Sequence, residues 1–158
     1  MNTQLYKIAE SFRRAIEHAR QDSNNKKYPY FQLFPIGTCG DTCYMLAKYL
    51  SGETKLNISI YYVEGYYYIN GDFYTHAWLE ILDNNSSHDL SKYSYIVDIT
   101  GDQFKDKEIF PYNDITVYVG YANDFYQLWE TKRHPYDYEN MPLEPELICC
   151  YKAILKHI

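Results

Sequence analysis

The sequence predicts an α+β chain, with N-terminal helices packed on an antiparallel β-sheet. Two observations carry that expectation. Helical periodicity fills the first third of the chain, and after Gly52 the pattern changes to β-branched and aromatic runs broken by turn residues. At 158 residues, with no internal repeat, low-complexity segment or linker, the chain 1–158 is expected to form one domain.

In the first helix, Leu5, Ile8, Phe12, Ala15, Ile16 and Ala19 recur at helical spacing, with Arg13, Arg14, Glu17 and Arg20 placed on the opposite side. It ends in the polar loop "QDSNNKKYPY", closed by Pro29. A second helix is expected from Cys39 to Ser51, burying Cys43, Leu46, Ala47 and Leu50, with Gly52 as its stop. The strand candidates are "LNISIYYV", "YYYI", "THAWLEIL", "YSYIVDI" and "ITVYV", separated by "EG", "NGD" and "DNNSSHDLSK". The loop from Asp83 to Lys92 is the expected mobile insertion. A short helix is placed at "NDFYQLWETKR", and a last one at "EPELICCYKAIL". There Pro145 suits the first position, and Leu147, Cys150, Tyr151 and Ile154 share a side.

Composition bounds the function. Charged residues at 23% and hydrophobic ones at 46% describe a globular chain. A formal charge of −6 argues against nucleic acid as a partner. No apolar run reaches the ~20 residues of a membrane span, and charges interrupt the amphipathic N-terminus, which does not read as a signal peptide. Four cysteines without a secretory signal fit free thiols in a reducing, cytoplasmic setting, although delivery to another cell leaves no trace in such a sequence. The 20 tyrosines suit half-buried sheet positions, or a groove for peptide or sugar.

The chemistry concentrates in "FPIGTCGDTCYMLAKYL". Thr38 followed by Asp41 is a capping-box variant, with Thr38 as N-cap and Cys39 at the first helical position. Unpaired N–H groups there favour an anion, so a thiol in that place is expected to ionise readily and to have oxyanion support nearby. Cys43, one turn on, reads as a small core residue, as do Cys149 and Cys150.

A nucleophilic thiol needs a histidine and a group to orient it. His18 and His157 sit among helix charges, His88 lies in the polar loop, and His134 precedes Pro135 in an expected turn. His76 opens a strand, where it can project over a helix end. Asp98, in the apolar run "YIVDIT", needs a hydrogen-bonding partner: His76, Asn113 or a backbone amide. Asp102 is the fallback acid, though it reads more naturally as a turn residue. Two other readings remain open. Cys39, Cys43 and His76 suggest a zinc site with Asp98 behind the histidine, but it has no evident fourth ligand. The other is a catalytically inactive binding or immunity module that uses the tyrosine-rich surface.

The segments "GTCGDTCYMLAKYL", "THAWLEI" and "YIVDIT" resemble the three signature segments of the transglutaminase-like branch of the papain-like cysteine hydrolases, and the resemblance covers residues 34–104. It implies a papain-like fold with Cys39 as nucleophile at a helix N-terminus, His76 as general base and then acid, and Asp98 holding the imidazole. Papain-type enzymes use an upstream glutamine as second oxyanion donor, which points to Gln32, and transglutaminases use an aromatic residue, which points to Tyr30. Tyr30 and Trp78 are also the candidate groove residues. The chain is short and has no evident calcium loop, so a large animal-type transglutaminase is not implied. The expected activity is that of a cysteine hydrolase, a peptidase or amide deamidase working through a thioester on a protein or peptide substrate. Transfer to an amine is the alternative. No cofactor, metal, nucleic acid or membrane is expected, and oligomeric state is not readable.

Overall fold

The computed structural model describes residues 2–85, 94–111, 115–137 and 141–158. Helices α1 (Asn2–Gln21), α2 (Pro29–Leu33) and α3 (Cys39–Gly52) come first, followed by strands β1 (Ile58–Ile69), β2 (Asp72–Asp83) and β3 (Tyr95–Asp98). After a 3₁₀ turn at Gly101–Phe104 come β4 (Tyr118–Gly120), the single turn α4 (Asp124–Gln127), β5 (Glu130–Pro135) and α5 (Pro145–Leu155). The architecture is α+β, with helices followed by a five-stranded antiparallel sheet in the order β4-β3-β2-β1-β5. Among the described residues no helix is long and apolar enough to cross a membrane. His88, Asn113 and most of the loop expected after Asp83 lie outside the described residues.

The sheet buries both faces, because side chains alternate along each strand. One face carries Ile60, Tyr62, Ala77, Leu79, Ile81 and Val97, which pack with Phe12, Ile16, Met45, Leu46, Leu50 and Ile154 from α1, α3 and α5. The other carries Val63, Trp78 and Ile96, covered by Phe104, Phe110, Phe125, Tyr126 and Trp129 from the segments after β3. The second layer is almost wholly aromatic, with rings such as Phe104 and Phe110 at 4.7 Å between centroids.

Several expectations are corrected. Glu64–Gly65 is not a turn: β1 runs through it, paired with β2 from Ile58–Asp83 to Ile69–Asp72. The glycine is there because Trp78 leaves no room, since a Cβ at Gly65 would lie 2.6 Å from the indole. The reversal comes at Asn70 and Gly71, both at positive φ (52° and 90°), as a two-residue hairpin requires. "ETKR" is not helical either. It forms edge strand β5 against β1, so His134 ends a strand rather than sitting in a turn. Arg13, expected on the solvent side of α1, is buried, because a distant carboxylate claims its guanidinium. Cys149 is exposed on α5, and only Cys150 enters the core.

Gly65→Ala is expected to destabilise the fold by about 1–3 kcal/mol through overpacking against Trp78, read as a lowered urea midpoint at unchanged slope.

Candidate active site

Cys39 is the first residue of α3. The chain reaches it through Gly37, whose φ of 68° turns the backbone into the helix. Thr38 occupies the cap position, but its hydroxyl donates to the Pro35 carbonyl at 3.2 Å and makes no cap to the helix. The expected capping box therefore does not form, and the first-turn N–H groups of α3 are left without a side-chain acceptor at the cap.

Strand pairing explains why a histidine meets that helix start. β2 pairs with β3 only through Leu79, Glu80 and Ile81, so the same edge of β2 is unpaired at Ala77 and His76. Cys39 sits there, lining one groove with His76 and Ala77, close enough for the imidazole and the Ala77 N–H to act on its sulfur. β3 ends at Asp98, whose carboxylate lies 2.7 Å from His76 Nε2. The structure thus brings Cys39, His76 and Asp98 together from a helix start, one strand and its neighbour's end.

Asp98 and His76 are buried, at 1% and 2% exposure. A carboxylate in such a place must be fully hydrogen-bonded to stay ionised. It is: Oδ1 accepts from the Thr100 N–H at 2.8 Å and the Thr100 hydroxyl at 3.2 Å, and Oδ2 from the Tyr126 hydroxyl at 3.0 Å. Burial alone would raise the Asp98 pKa, but the charge and hydrogen bond of His76, then Thr100 and Tyr126, hold it below the usual carboxylate range. Burial would likewise push the His76 imidazolium down; Asp98, helped by Cys39, outweighs it and lifts the ring to about 9. Burial raises the Cys39 thiol, whereas the His76 hydrogen bond and charge, with the Ala77 N–H, bring it below the ordinary thiol value. Cys43 goes the other way, its thiol pushed well above that value by burial and by the charges of Cys39 and Asp98.

Gln103, in the 3₁₀ turn after Asp98, was not singled out in the sequence. Its Oε1 accepts the Gly37 N–H at 3.2 Å while its Nε2 lies 3.1 Å from His76 Nδ1. One amide thereby ties the cysteine's approach loop to the imidazole. With Oε1 held by Gly37, Nε2 donates to Nδ1, which favours a neutral ring. Asp98 favours the charged ring, and a charge-assisted bond is roughly twice as strong as a neutral one. The carboxylate prevails, and the charged ring then no longer accepts from Gln103, whose hold on the Gly37 N–H remains.

The turn that carries Gln103 is itself anchored. Arg13 reaches from α1 and donates to both oxygens of Asp102, at 2.8 and 2.9 Å, and to the Ile99 carbonyl at 2.6 Å. Asp102 is therefore a structural partner of Arg13 and not the histidine's acid. Nothing in the sequence marks this, since Arg13 stands beside Arg14 among the charges of α1.

Of the remaining candidates, Trp78 is corrected from groove to core: it is 1% exposed and packs on Trp129 and Tyr126. Tyr30 is also buried, its hydroxyl paired with Thr42 at 2.9 Å. Gln32 is turned away on α2, with its amide on the Lys26 carbonyl. None of the three lines the groove at the cysteine. That groove, of about 250 Å³, is lined by Cys39, Gly40, Tyr62, Glu64, Gly65, Tyr66, Thr75, His76 and Ala77. No cluster of three potential metal ligands occurs among the described residues.

Compared with protein-family models, curated proteins and solved structures, the chain matches none.

Asp102→Ala leaves the Arg13 guanidinium without its carboxylate in a site where its side chain is 7% exposed. Because Ile99 and Glu17 still hold it, the expected cost is at the lower end of that for breaking a buried pair, about 3 kcal/mol, measured by chemical denaturation.

Proposed function

We propose that the protein is a cysteine-dependent acyl-transfer enzyme of papain-like, transglutaminase-like type, which hydrolyses a peptide bond or a glutamine side-chain amide through a thioester. One observation carries this reading: an imidazole fixed by a buried carboxylate through Nε2 shares an open groove with a thiol at a helix start. Each group then has one task. His76, charged by virtue of Asp98, holds Cys39 as a thiolate. The sulfur attacks the acyl carbon, and the carbonyl π pair moves to oxygen. Collapse of that intermediate breaks the C–N bond, and the amine leaves with the proton that His76 releases. Water, deprotonated by the now neutral ring, attacks the thioester; Sγ departs and the acid is formed. Hydrolysis is favoured over transfer to an amine because water needs no second binding site.

Metal ligation by Cys39 and His76 would have to displace the proton that Asp98 helps to hold on the ring. A binding module that made no use of the cysteine would have no need of a buried charged pair, which well-packed apolar side chains replace at little or no cost to stability.

Iodoacetamide and p-nitrophenyl acetate test the reading without a known substrate. Peptide mapping should find Cys39 alkylated ahead of the exposed Cys149, with Cys43 and Cys150 last. Ester turnover should be bell-shaped in pH. Its acid limb, from Cys39, should lie below the ordinary thiol value of about 8.5, and its alkaline limb should fall as His76 deprotonates at about 9. Cys39→Ala should abolish turnover, and Asp98→Asn should reduce it by up to about 10⁴-fold. Cys39 labelled no faster than Cys149, or full turnover in Cys39→Ala, would sink the proposal.

A further inference from the structure

A thiolate attack needs donors for the oxyanion, and neither residue suggested by the sequence reaches the site. The first-turn amides of α3 supply one side. The other side lies across the groove on β1. Tyr62 is 8% exposed and lines the groove with Cys39, Gly40 and His76. Its hydroxyl lies against the helix start: a Cβ at Gly40 would sit 3.2 Å from Tyr62 Oη. Among the described residues that hydroxyl has no hydrogen-bond partner, and it is not shut away from the groove that Tyr62 lines, so it is free to meet a bound group there. By contrast, the amide of Gln103 is tethered through its Oε1 to the Gly37 N–H.

We infer that Tyr62 Oη donates the second hydrogen bond to the oxyanion formed at Cys39, an inference that rests on the acyl-transfer reading above. The ring is held for this task. Tyr44 stacks on it at 4.8 Å and 12°, and cross-strand pairing with Leu79 and His134 fixes its place in the sheet. Gly40, lacking a side chain, leaves room for the hydroxyl beside the helix amides. Burial and the neighbouring Cys43, Tyr44 and Glu64 raise the phenol's pKa, so it remains a proton-bearing donor wherever the thiolate is active. Being on the strand that precedes His76, the residue carries no mark in a sequence with 20 tyrosines.

Two reactions of one sulfur separate this role from packing. Alkylation by iodoacetamide is a displacement at carbon and forms no oxyanion. Acylation by p-nitrophenyl acetate forms one: the S–C bond is made as the π pair moves to oxygen, and collapse expels p-nitrophenolate. In the full chain, Tyr62→Phe keeps the ring and loses only the hydroxyl. It should lower the acylation rate roughly 10²–10³-fold and leave Cys39 alkylation unchanged, which also reports an intact site. Equal acylation in wild type and Tyr62→Phe, or acylation and alkylation falling together, overturns the inference while leaving the nucleophile assigned. Failure of wild-type Cys39 to alkylate ahead of Cys149 overturns both.

Discussion

Everything at the site depends on a carboxylate that has no access to water. Asp98 is kept ionised by three hydrogen bonds from Thr100 and Tyr126 and by the imidazole at 2.7 Å. Loss of any of those partners would raise the carboxyl's pKa and weaken its hold on the charged ring. The second, aromatic layer of the fold serves this contact. Phe104, Phe125 and Trp129 stand around the His76 ring at 5.1, 5.9 and 5.7 Å between centroids, which excludes solvent and strengthens the charge interaction.

The sheet divides the labour. Its helix-facing side is a conventional apolar core that sets α3, and hence Cys39, at the unpaired edge of β2. Its other side holds the imidazole and carboxylate. The two meet only because β3 pairs with β2 for three residues and then leaves. The Arg13–Asp102 contact reaches around this gap from α1 and holds the turn bearing Gln103, so a residue far from the thiol in sequence fixes how the ring is approached.

Much of this was legible in the residues. Local signals marked the start of α3, the alternation of β2, and the misplaced charge of Asp98 in an apolar strand, because each follows from neighbours within a few positions. What stayed hidden depends on distant partners. The burial of Arg13 follows from Asp102, 89 residues away, and the glycine at 65 from the Trp78 ring on the neighbouring strand, neither of which is a local signal. The resemblance pointed to Gln32 and Tyr30 as oxyanion donors, and Trp78 was a groove candidate, but the backbone turns each of them elsewhere. The capping box had the right letters, yet the Thr38 hydroxyl went to Pro35 instead.

The charge state of one sulfur tests the whole arrangement. The ultraviolet absorbance of the thiolate, taken as the difference between wild type and Cys39→Ala across pH, reports it without any substrate. The expected midpoint lies below the ordinary thiol value of about 8.5 and moves upward in Asp98→Asn. A midpoint at or above that value in the wild type, indifferent to Asp98, would mean that the imidazole and the carboxylate behind it do not activate Cys39.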